Sequence, residues 1–127
     1  KRRGIKVFGT DYPTPDGTCL RDYIHVLDIA EAHVLALANL DRVAGQAFNV
    51  GNNRGYSVME VLEVTRRITG HPIPAVMAPR RPGDPAVLVA SSDKLRRELG
   101  WQPRQSDLET IVKSAWAWRK KNPAGYA

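Results

Sequence analysis

The sequence has 127 residues, with 19 Lys and Arg against 13 Asp and Glu for a formal charge of +6, and is 43% hydrophobic and 25% charged. That is the balance of one soluble globular domain, long enough to bury a core, and it excludes a disordered chain. A single cysteine, Cys19, excludes an internal disulfide and fits a reducing compartment, hence a cytoplasmic location. No apolar run approaches the ~20 residues of a membrane helix and no stretch reads as a signal peptide, so no membrane is expected. The basic residues are scattered (Lys1 to Arg3, Arg66-Arg67, Arg80-Arg81, Arg96-Arg97, Arg119 to Lys121) with no aromatic residues between them, which argues against nucleic acid. The chain opens on Lys-Arg-Arg-Gly without an initiating Met and reads as a piece of something longer.

In chain order, Ile5 to Phe8 is a short strand, and Gly9 to Gly17, with two prolines and repeated Gly and Asp turn signals, is a long loop. Asp22 to Val26 is a β-rich run. Asp28 and Glu31 then make a D-x-x-E cap for a helix lasting to about Leu40. That helix is apolar nearly all round, which demands cover on more than one face. Gln46 to Val50 follows as a strand. Ser57-x-x-Glu60 is a capping box opening an amphipathic helix that Gly70 and Pro72 stop. Ile73 to Met77 and Ala86 to Ala90 are extended runs, Ser92 caps a short helix ended by Gly100, and Ser106-x-x-Glu109 is a capping box for a last helix ending at Asn122-Pro123. Strands alternating with helices make the class α/β, a small mixed sheet with helices.

Three histidines and the cysteine show no metal-ligand spacing, so no metal site is expected. Gly51-Asn52-Asn53-Arg54-Gly55 is either a turn or a phosphate cradle. Arg21-Asp22, at the mouth of an apolar run, is either a structural ion pair or an arginine aimed at an anion. Arg80-Arg81-x-Gly83-Asp84 adds a planar fork for phosphate oxygens and a carboxylate of the kind that accepts from ribose hydroxyls. Together with Arg21 it suits a nucleoside diphosphate. The chain has no G-x-G-x-x-G, and no tyrosine is followed by lysine four places on.

Four segments in unbroken order carry a resemblance. They are Val7-Phe8-Gly9-Thr10-Asp11-Tyr12-Pro13-Thr14 leading to Arg21-Asp22-Tyr23-Ile24-His25-Val26, then Phe48-Asn49-Val50-Gly51, then Arg80-Arg81-x-Gly83-Asp84, and last Glu98-Leu99-Gly100-Trp101. The chain resembles, from near Ile5 to Tyr126, the C-terminal part of the UDP-glucose 4-epimerases, which are extended short-chain dehydrogenase/reductases. The resemblance implies that residues 1–127 form the UDP-sugar-binding lobe, incomplete without an N-terminal Rossmann domain. It implies that Arg21 and Arg81 meet the UDP phosphates, that Asp84 accepts from the ribose, that Val7 and Phe8 lie against the uracil, and that Leu88 borders the hexose. NAD and the catalytic tyrosine and lysine belong to the N-terminal half, so no catalytic residue is expected in this chain and the chain alone should be inactive. Residues of roughly 21–40 and 80–92 are expected to pack on that missing half, and the intact enzyme is expected to be a homodimer. The alternatives are another nucleotide-sugar epimerase or decarboxylase of the same superfamily, or a non-catalytic nucleotide-sugar-binding module.

Overall fold

The computed structural model describes residues 4–126; the basic cluster Lys1 to Arg3 and Ala127 lie outside them. Two small sheets organise the chain. In the first, β1 (Ile5–Phe8) pairs in parallel with β4 (Ala75–Ala78), in the register Val7 to Met77. In the second, β2 (Leu20–Asp22) lies between antiparallel β3 (Gly55–Ser57) and parallel β5 (Val87–Leu88). The loop from Gly9 to Gly17 closes on itself, the Tyr12 amide donating to the Gly17 carbonyl over 2.9 Å. Gly17 sits at φ 79°, and a Cβ there would stand 2.1 Å from the Thr10 carbonyl oxygen, so the turn needs glycine.

Among the described residues there are five helices. These are α1 (Val26–Ala38), α2 (Leu40–Val43), α3 (Val58–Thr69), α4 (Asp93–Leu99) and α5 (Leu108–Lys121). The Ser57–Glu60 capping box forms on α3 as expected, and Gly70 ends that helix in the left-handed conformation. Asp16 accepts from the Thr18 amide and hydroxyl and from the Ser57 hydroxyl, which fastens the long loop to the start of α3. Helices α3 and α5 lie against each other, with Arg67 on Glu109 at 2.7 Å.

The core sits under one side of α1, where Ala32, Val43, Leu95, Leu99 and Trp101 meet and Leu35, Phe48 and Val50 close the edge. Its polar centre is Asp28, 1% exposed, which accepts from the Arg104 and Gln105 amides at 3.0 Å each and from the Ser106 hydroxyl. The Trp101 indole donates to the Asp28 carbonyl over 2.9 Å.

Several sequence expectations give way here. The run Asp22 to Val26 is not a strand, because β2 ends at Asp22 and His25 is already the N-cap of α1, its Nδ1 accepting from the Leu27 amide. Asp28 is therefore no cap; its carboxylate is drawn inward to satisfy the backbone of residues 104 and 105. Ser106 is no cap either, since its hydroxyl is taken by Asp28 and by the His25 amide, and Asp107 caps α5 instead. Gln46 to Val50 has no partner strand among the described residues and runs as irregular chain, with Phe48 and Val50 against the core. His33, on the same helix, is exposed and its Nδ1 lies 2.8 Å from the Ile29 carbonyl oxygen.

The opposite side of α1 is bare. Val26, Leu27, Val34 and Leu37 are exposed, as are Val87 and Leu88 of β5. Among the described residues, a helix apolar nearly all round has one of its faces covered.

Candidate functional site

Strand β2 delivers Arg21 to the edge shared with β5, and the turn after β4 delivers Arg81 and Asp84 to the same place. The Asp84 carboxylate joins the two arginines. Arg21 Nη2 stands 2.8 Å from Oδ1, and Arg81 donates through Nε and Nη2 to Oδ2 at 3.1 and 2.9 Å. Arg21 also donates to the Leu20 carbonyl at 2.7 Å, which fixes its guanidinium close to the strand. Arg21 is only 21% exposed and Asp84 19%, whereas Arg81 is 61% exposed. Arg81 stacks its guanidinium over the Phe8 ring at 4.8 Å. The Arg81 guanidinium holds the Asp84 carboxyl below its ordinary range; burial opposes this and Arg21 adds to it.

Arg80, next in the chain, points elsewhere. Its Nε donates to Asp11 at 2.7 Å and its guanidinium lies 4.1 Å over the Tyr12 ring, so the 80–84 turn is anchored on the loop after β1. The Asp11–Tyr12 anchor was not read from the sequence as part of the site; its only signal was that both residues belong to the resembling segment. The Tyr12 hydroxyl is buried without a partner among the described residues.

The sequence-selected residues thus divide. Arg21, Arg81, Asp84 and Phe8 converge. Leu88 stands opposite Arg21 in the β2–β5 register, its side chain 60% exposed beside the cluster. Val7 is 1% exposed, so its side chain is core and meets nothing outside the fold. Arg21 does not pair with Asp22, which instead accepts from the Asn52 and Ala90 amides. The Gly51 to Gly55 segment is a turn into β3, not the start of a helix, so it makes no helix-end phosphate cradle. Chemically, the cluster is two guanidinium forks around one carboxylate. It carries one net positive charge, has a flat aromatic ring at its rim, and can exchange its internal carboxylate for an anion with several oxygens.

Residues 1–51 match the NAD dependent epimerase/dehydratase family. Across all of the chain, the UDP-glucose 4-epimerase of Halalkalibacterium halodurans is 56% identical over 129 residues, which make up 38% of that protein. A crystal structure of UDP-glucose 4-epimerase superposes with a TM-score of 0.92 at 52% identity, over 99% of this chain and 39% of that one. The Bifidobacterium longum enzyme, solved in complex with NAD+ and UDP, gives 0.90 at 42% identity over 98% of this chain and 37% of that one. The chain spans little more than a third of the relatives it matches. In sequence and in fold the chain is similar to one part of these UDP-glucose 4-epimerases.

Proposed function

We propose that this chain is the UDP-sugar-binding portion of an NAD-dependent UDP-glucose 4-epimerase. The convergence of Arg21, Arg81 and Asp84 beside Phe8 is the observation that carries the reading. In it, Arg21 and Arg81 take the diphosphate oxygens, Asp84 turns from the arginines to the ribose hydroxyls, and Phe8 lies against the uracil with Val7 anchoring its strand. Leu88 borders the hexose. The reaction of the intact protein interconverts UDP-glucose and UDP-galactose through C4. NAD, held by the part of the relatives that this chain does not span, supplies the hydride acceptor and donor. The residues here grip the nucleotide so that the hexose can turn while its diphosphate stays fixed.

The bare side of α1 and the exposed β5 support a second element of the reading, that residues 21–40 and 80–92 seat on the NAD-binding part. No described helix is long and apolar enough to cross a membrane, and the buried, unpaired Cys19 fits a reducing cytoplasm. A homodimer of the intact protein belongs to the same reading.

Calorimetric titration of the folded 127-residue chain tests this. UDP binds, uridine binds more weakly for lack of the diphosphate, and NAD does not bind. A chain that ignores UDP, or that binds uridine as tightly as UDP, is not the nucleotide lobe described.

A further inference from the structure

Strand β5 is short for the place it occupies. It lies at the edge of its sheet, pairs with β2 over only two residues, and has no strand on its other side among the described residues. Two ladder positions do not hold an edge segment by themselves. What brackets it is the dipeptide opposite. Arg21 reaches Asp84, three residues before the strand, at 2.8 Å. Asp22 reaches Ala90, two residues after the strand, its Oδ2 accepting from the Ala90 amide at 3.1 Å. The same carboxylate accepts from the Asn52 amide at 3.0 Å through Oδ1, so it ties the chain just after β5 to the turn before β3 as well. The chain is cut to fit this clamp. A Cβ on Gly51 would stand 2.5 Å from the Ala90 carbonyl oxygen and 2.6 Å from Asp22 Oδ2, so glycine is required there for close approach. Val89 lies over Gly55, where a Cβ would come within 2.9 Å of Cγ2.

We infer that Asp22 is a positioning residue: its carboxylate fixes the place of the 86–90 segment, and with it Leu88, without itself touching the nucleotide. The arginine of the pair holds the ligand end of the segment and the aspartate holds its far end. The assignment of Leu88 to the hexose rests on the function proposed above; the clamp itself rests on the distances alone.

Amide hydrogen exchange on the 127-residue chain, with UDP titration beside it, separates the two. In Asp22→Asn, exchange at Val89 and Ala90 rises about tenfold or more, as loss of a charge-assisted hydrogen bond implies. Exchange in α3 and α5 stays as in the parent, and the Leu88 methyl resonances shift. UDP affinity changes by less than about threefold, because no phosphate or ribose contact is removed. Should Asp22→Asn fail to fold, Gly51→Ala reads the same clamp from its other side, by pushing Ala90 away with the Asp22 charge intact. Unchanged exchange at Ala90 in a folded Asp22→Asn overturns the inference, as does a rise spread evenly over every element. Raised local exchange in a chain that does not bind UDP upholds the clamp and removes the nucleotide reading.

Discussion

Asp28 and Asp84 are two carboxylates on one small domain, each with its oxygens filled, and they do opposite things. Asp28 is buried and receives its hydrogen bonds from two backbone amides and a serine hydroxyl, donors that the fold holds in place. Asp84 lies near the surface and receives its bonds from two arginines, whose long side chains can move away. A carboxylate surrounded by neutral, immobile donors is part of the architecture. One surrounded by movable cations is a placeholder, keeping two guanidiniums aimed at one point until a stronger anion arrives. The difference lies in the donors, not in the acid.

The sharpest break of that contrast is at Asp28. Asp28→Asn keeps one acceptor oxygen but turns an NH2 either toward the Arg104 amide or toward the Gln105 amide and Ser106 hydroxyl, and should cost about 3 kcal/mol of stability by denaturant unfolding. The folded fraction should keep its UDP affinity.

Acid makes the same cut reversibly. Burial raises the Asp28 pKa, but hydrogen bonds from Ser106 and the amides of Arg104 and Gln105 outweigh it, leaving the group below its ordinary 3.8. A lowered folded value means that the contribution is complete above the ordinary value and is lost as pH falls through the folded one. Urea midpoints should therefore drop below about pH 4, and drop less steeply in Asp28→Asn.

On the other side, Arg21→Ala should leave the melting temperature nearly unchanged and weaken UDP binding by about tenfold to a hundredfold. Arg81→Ala, which removes the more exposed fork, should weaken it by about tenfold or less. The least effect is expected at Asp84→Asn, about threefold, since one acceptor oxygen survives and both guanidiniums are released. If instead Asp84→Asn unfolds the domain while Asp28→Asn abolishes UDP binding, the roles assigned to the two acids are reversed.

How far these elements could be read beforehand follows from the reach of the forces that make them. Ser57 and Glu60 are three residues apart, and Gly70 acts on its own turn, so the limits of α3 were legible. The strand Ile5–Phe8 was too, from its own residues. The true cap at His25 and the inward turn of Asp28 were not, because they answer to residues 104–106, more than seventy places on. Gln46 to Val50 has a strand's composition, but no neighbouring strand is there to accept its hydrogen bonds. Arg21 and Asp84 were each suspicious alone, and their meeting across 63 residues was inferred through the resemblance. Asp22 looked like the partner of its neighbour, while alternation along β2 sends the two side chains to different tasks.

The seating of Trp101 gives the molecule its own optical gauge. Its indole is fully buried, its N–H is held by the Asp28 carbonyl, and it touches the side of α1 that the rest of the chain covers. Trp116 and Trp118 are carried by α5, with Trp118 open to solvent. Emission from Trp101 should therefore form the blue component of the spectrum, and a red shift confined to that component would mark the moment at which α1 leaves its seat. With Trp116 and Trp118 replaced by phenylalanine, one fluorophore would follow the docking of that helix in real time, in the chain alone or as its bare face finds a partner.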